Sequence, residues 1–276
     1  MSHEFLISDY IIQVADGTMC RLLSGFETRS EITSASDGVP QRPICSIRRC
    51  GGTVTHGVES MSPSHPIRHV MGLSRESSAV IMADDSFEQI SVRSNTRGGL
   101  LEGMLLGVYS RLTYYRTVFV HGALIEVPNY GGIMFIGSSG VGKTTQAALW
   151  NMLRGADIIN GDKVFLGLRD SHPGEVLAYG SPWRGSSEYC LNRRVPLRAV
   201  IVLKRLAEKG IRPLNDMEAL VNFAHALYMP GWGEQLTGLV TETMGDILEQ
   251  ISLYEMSCDV NEDAVCMVEE ALGFAR

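Results

Sequence analysis

The chain has 276 residues, enough to bury the core of one large domain or two small ones. Its 31 acidic residues outnumber 24 basic ones, and the net charge of −7 argues against a general nucleic-acid binder, whose phosphate-backbone contacts need a basic surface. A globular composition of 45% hydrophobic and 20% charged residues, no apolar run of membrane-spanning length, no secretory pattern in Met1–Tyr10 and six cysteines too few for a disulfide scaffold predict a soluble, cytoplasmic protein with no membrane partner.

Along the chain, Phe5–Val14 alternates loosely and predicts a strand. Residues 27–69 are rich in Ser, Thr, Gly and Pro, with Pro40, Pro43, Pro63 and Pro66 as breakers, and read as short strands and long loops. Val80–Met82 and Ile90–Val92 are strand fragments. Gly98–Tyr115 has apolar residues at helical spacing, though its glycines weaken the pattern. Thr117–Val127 predicts a strand around His121-Gly122, and Pro128–Gly131 is turn chemistry. Gly132–Ile136 is a short buried strand, followed by a glycine-rich loop and a helix over Lys143–Leu153. Asp157–Leu168 reads as a strand interrupted by Asn160-Gly161-Asp162. Strands follow at Val176–Tyr179 and Leu197–Leu203. Asn215 starts a helix in which Glu218 completes a capping box, with more helix to about Ile251. Leu253–Cys258 is a last strand and Asn261–Leu272 a capped last helix. Strands mixed with helices mean an α/β fold, with a boundary near residue 116.

Gly137-Ser138-Ser139-Gly140-Val141-Gly142-Lys143-Thr144 fits G-x-x-x-x-G-K-[ST]. Glycines let successive backbone N–H groups point into one concavity that suits phosphate oxygens, and the following helix adds its N-terminus. Lys143 then reaches the outer phosphates, the Thr144 hydroxyl suits Mg²⁺, and Thr145 lies near the α-phosphate. The apolar strand before the motif and the helix after it are the setting it requires. ATP and Mg²⁺ are the expected ligands. A second metal-side carboxylate is needed, and Asp162, which follows an apolar pair, is the candidate Mg²⁺ ligand, hydroxyl base or both.

Beyond the motif, His121-Gly122-Ala123-Leu124, Asn160-Gly161-Asp162-Lys163, Gly180-Ser181-Pro182-Trp183 and Val195-Pro196-Leu197-Arg198-Ala199 together resemble the kinase core shared by HPr kinase/phosphorylase and phosphoenolpyruvate carboxykinase. The likeness covers about residues 117–276 and is nearest to bacterial HPr-kinase-like proteins, several of which accompany peptide-modifying systems. It implies a P-loop kinase core of carboxykinase type, with a mixed β-sheet flanked by helices, over 117–276. Residues 1–116 would form a variable, β-rich N-terminal region. It implies a γ-phosphoryl transfer to a serine of a peptide or small protein, such as a precursor peptide, with Asp162 as base and His121 as its helper. A homo-oligomer is compatible with the family's hexamers. Two departures stand out. HPr kinase has two consecutive aspartates where this chain has Gly161-Asp162, and the R-P-G-R-N-like signature is absent, which leaves HPr itself and the phosphorylase reaction without support.

Arg184 follows a strand end and either stabilises the moving phosphoryl or is solvated. Arg193 and Arg194 read as surface, Trp183 as a packed loop tryptophan, and the cysteines as ordinary thiols. A metabolite kinase and a non-catalytic ATP-binding switch remain the alternatives. A transport ATPase is disfavoured by the lack of an L-S-G-G-Q-like segment after the motif.

Overall fold

The computed structural model describes residues 2–28, 42–50, 69–72, 78–185, 187–230 and 233–274, so most of the 27–69 segment lies outside the described residues. The chain divides into two compact units, Met1–Arg116 with Pro230–Val240, and Thr117–Met229 with Thr241–Arg276. Among the described residues no helix is long and apolar enough to cross a membrane.

The first unit is built on a six-stranded mixed sheet in the order β1-β2-β3-β6-β5-β4. Its strands are β1 (His3–Ile7), β2 (Tyr10–Val14), β3 (Cys45–Arg49), β4 (His69–Gly72), β5 (Ser78–Ala83) and β6 (Gln89–Ser94). The single strand expected over Phe5–Val14 is instead the hairpin β1–β2. Ser8 and Asp9 take φ of 53° and 66° and turn the chain tightly. A short helix, α1 (Gly17–Leu22), was not expected. It is capped by Asp16, whose carboxylate accepts from the N–H groups of Thr18 and Met19.

The helix α2 (Arg97–Thr113) lies on this sheet, and its glycines have a structural reason. A Cβ on Gly103 would stand 2.6 Å from Val92 Cγ1, and one on Gly107 2.8 Å from Ile90 Cγ2. The glycines that weaken the helical pattern are what let the helix approach the strands.

The second unit holds β7 (Thr117–His121), β8 (Ala123–Val127), β9 (Gly131–Ile136), α3 (Lys143–Arg154), β10 (Asp157–Asn160), β11 (Lys163–Leu168), β12 (Val176–Tyr179), β13 (Arg194–Leu203), β14 (Gly210–Pro213), α4 (Asp216–Ala226), β15 (Ser252–Ser257) and α6 (Glu262–Ala271); α5 is Glu234–Leu248. The sheet runs β10-β8-β9-β13-β12-β11-β7, with β15 also beside β13 and β14 beside β15. β13 is parallel to β9 and to β15, and the other pairings are antiparallel, so the α/β class with mixed sheets and helices holds.

The strand expected over Thr117–Val127 is two, β7 and β8, which break at Gly122 and pair with different partners. β13 links β12 to β9 within this unit. Its first residues pair with β12, and Leu197–Val202 pair with β9. The core below α3 gathers Ile125, Ile133, Phe135, Trp150, Ile158 and Val265. Arg154 ties α3 to α6, with Nε 2.6 Å from Glu269 and Nη1 3.2 Å from Glu262. Asn215 and Glu218 form the expected capping box, and Asn261 caps α6.

Candidate functional site

β9 leads into the loop Gly137–Gly142, and α3 begins at Lys143. Gly137, Gly140 and Gly142 take φ of 138°, 73° and 116°, backbone that side chains with a Cβ rarely adopt. Gly137 also packs against the end of β13, where a Cβ would lie 2.7 Å from the Leu203 carbonyl oxygen. No side chain caps α3, and Ser138, Ser139, Gly140, Thr144 and Thr145 are exposed, with Val141 and Gly142 partly so. An uncapped helix N-terminus beside an ammonium attracts anions. Lys143 is buried and its Nζ donates to the Gly137 and Ser138 carbonyls at 3.0 and 3.2 Å. Burial pushes its ammonium below the ordinary lysine value, and the nearby Asp162 partly offsets this.

The second element is the bend between β10 and β11. Asn160 is fully buried, and its Oδ1 accepts from the N–H groups of Asp162 and Lys163 at 2.9 and 2.8 Å. Its Nδ2 donates to the Ser181 carbonyl at 2.9 Å. The Ser181 hydroxyl, also buried, spends its one proton on the carbonyl of Lys163 or Trp183, at 2.7 and 2.9 Å. These bonds fix where Asp162 projects.

Across the sheet, Lys163 is in register with His121, and the Gly122 N–H donates to the Asp162 carbonyl at 3.0 Å. His121 Nε2 lies 2.8 Å from Asp162 Oδ1, and Lys163 Nζ 3.9 Å from Oδ2. The hydrogen bond from His121 holds the Asp162 carboxyl below its usual value, against burial and helped by the charges of His121, Lys163 and Lys143. The loop and the bend meet where Thr144 Oγ1 donates to the Gly161 carbonyl at 3.3 Å.

The segment after Ser181 folds over this bend. Trp183 is buried, edge-on to Phe165, so it is a packing residue. Arg184 is exposed, and its Nη1 donates to the Glu188 carbonyl at 3.1 Å. Its neighbour Gly185 lies so close that a Cβ there would stand 2.2 Å from Asp162 Oδ2. Arg193 is engaged by Glu126 and Asp157. Among the described residues no three His, Cys, Asp or Glu side chains gather as a metal cluster.

Asn160 and Ser181 carry no signature of their own in the sequence, although they sit inside Asn160-Gly161-Asp162-Lys163 and Gly180-Ser181-Pro182-Trp183. Arg205 was missed as well. Its Nη2 donates to the Gly140 carbonyl, which fixes the crown of the loop from the end of β13. Two cavities flank the loop. One, of about 320 Å³, touches Gly137–Ser139, Lys204 and the α4 residues Asn222 and His225. The other, of about 580 Å³, touches Val141, Gly142 and Gln146.

No protein-family model and no curated protein matches the chain. Among solved structures, the Hpr(Ser) kinase/phosphatase from Coxiella burnetii aligns over 56% of this chain and 93% of its own, at 11% identity and a TM-score of 0.31. A likeness of that size leaves the function to be argued from the residues themselves.

Proposed function

We propose that this chain is a Mg·ATP-dependent kinase that transfers the γ-phosphoryl group to a hydroxyl, with a serine of a peptide or small protein as acceptor. The observation that carries the reading is the contact of Thr144 with the Gly161 carbonyl, which brings an uncapped glycine loop and a His121-held carboxylate to one place. The sequence resemblance of residues 117–276 to HPr-kinase-like proteins supplies the acceptor class.

In this reading the N–H groups of Gly140, Val141, Gly142 and Lys143 hold the phosphate chain, and Thr145 adjoins the α-phosphate. Lys143 gives up its loop carbonyls for the outer phosphates and tracks charge on the moving group. Asp162 accepts the acceptor's hydroxyl proton as its oxygen bonds to phosphorus and the bond to the β-phosphate oxygen breaks, releasing ADP. His121 keeps the carboxylate aimed. Arg184, beside Gly185, is the further cation within the covering segment. The Thr144 hydroxyl and the Asp162 carboxylate are hard oxygen donors of the kind Mg²⁺ takes together with phosphates, and when bound it would neutralise phosphate charge. Transfer of this kind depends on positioning and charge more than on covalent chemistry.

A non-transferring ATP switch is the second reading. It draws on one observation, that a single carboxylate stands at the bend, in Gly161-Asp162, and its Oδ1 is already engaged by His121 Nε2 at 2.8 Å. The test is transfer from γ-labelled ATP with Mg²⁺ into protein and small-molecule fractions of the source lysate, beside Lys143→Ala and Asp162→Asn. Label in a peptide or protein that both variants lose is expected. Label confined to a metabolite moves the acceptor class, and ATP binding without transfer to any fraction favours the switch.

A further inference from the structure

The loop leaves β9 between β8 on one flank and β13 on the other. Asp162 comes in from the β10 side, because it follows that strand directly. The cavity of about 580 Å³ lies on the opposite flank, where the segments after β13 and β15 end against Val141 and Gly142. Its size falls in the range of small-molecule sites, about 300–1,000 Å³.

Three features of its wall point to one kind of occupant. Leu206 and Val260 both line it and leave 48% and 65% of their surface exposed. Aliphatic side chains held open beside a polar loop suit the face of a flat heterocycle. Their segments are tied together: Ser257 Oγ lies 3.1 Å from the Leu206 N–H nitrogen and 3.2 Å from its carbonyl, and Lys209 pairs with Asp259 at 3.0 Å. Gln146, only 3% exposed, also lines the cavity. Its Nε2 donates to Cys258 Sγ at 3.2 Å, and its Oε1 is buried with no partner. That Oε1 is a buried acceptor left over in the wall, and such groups in a folded protein call for a ligand or water. Arg205 adds positive charge to the wall, and the charge of Lys209 is offset by Asp259, which lines the same cavity.

We infer that this cavity holds the nucleobase of the nucleotide, a purine with an exocyclic amine directed at Gln146 and its ring against Leu206 and Val260. The assignment rests on the phosphate reading of the loop. With the γ end of the nucleotide toward Asp162, the nucleoside end runs to the β13 and β15 flank.

The experiment compares Mg·ATP with Mg·tripolyphosphate, which has the phosphates and no base, by calorimetry on the full chain. Wild type is expected to bind ATP about tenfold more tightly, and Leu206→Ser/Val260→Ser to close that gap while tripolyphosphate changes by less than about twofold. Both side chains are exposed, so the double variant keeps its core. Alkylation of Cys258, read by mass spectrometry, is expected to be slowed by ATP and not by tripolyphosphate. Equal binding and equal protection by the two ligands, or unchanged ATP affinity in the double variant, overturns the base assignment alone, provided Lys143→Ala still weakens both ligands. If wild type binds neither, or Lys143→Ala binds both normally, the phosphate reading falls and the base assignment with it.

Discussion

Asn160→Ala tests whether the bend that carries Asp162 is held as described. The side chain is fully buried and makes short bonds to three backbone groups. Its removal leaves the N–H groups of Asp162 and Lys163 without their acceptor. The Ser181 carbonyl keeps the Cys190 thiol, 3.2 Å away. Two orphaned donors at about 1–3 kcal/mol each, reduced because water can reach the half-buried Asp162, give an expected loss of about 2–4 kcal/mol. Urea unfolding should show a lower midpoint with an unchanged slope. The freed bend should also loosen the bond from His121, so the Asp162 carboxyl, followed by carbon NMR, should rise toward its ordinary value of 3.8. A stability change under about 0.5 kcal/mol, with Asp162 titrating as before, would refute the reasoning.

Two further predictions concern the same carboxylate. His121→Ala removes the bond that holds Asp162 low. A carboxyl depressed in the folded state adds stability that is present above its unfolded value, 3.8, and is lost as the pH falls through the lower folded value. The variant should therefore be less stable at pH 7 and show a shallower loss of stability in acid, measured by urea titrations; parallel acid profiles would return His121 to a passive role. If transfer occurs, its acid limb should move to higher pH in this variant. Gly185→Ala, at φ of 57° and with its Cβ directed at Asp162 Oδ2, should displace the carboxylate or the covering segment. We expect turnover to fall about tenfold or more and the melting midpoint by a few degrees; wild-type values of both would show that the segment yields freely.

What could be read from the sequence was local chemistry. Asn215 with Glu218, and Asn261, announce helix starts because a cap and its partner lie within one turn. The strand, glycine loop and helix over 131–154 are contiguous, so their pattern is visible in one window. The hairpin at Ser8-Asp9 was hidden because neither residue is glycine or asparagine, and α1 is too short to show a period. The glycines of α2 counted against a helix because their reason, the close passage of Val92 and Ile90, lies elsewhere in the chain. The site follows the same division. Lys143, Thr144, Asp162 and His121 carry recognisable signatures. Asn160 and Ser181 act through bonds to backbone groups as far as 23 residues away, for which a linear pattern has no mark.

β13 has a consequence for how the site can fail. One end of this strand is hydrogen-bonded to β12, which neighbours β11 and through it the Lys163–His121 pairing; the other is bonded to β9, from which the glycine loop springs. The carboxylate half and the loop half thus hang from one shared beam. Amide exchange along it should report a common opening free energy for both. A destabilising change in its centre would disturb the carboxylate bend and the glycine loop together, so damage there would look like absence of the protein and not like the loss of one half of the candidate site.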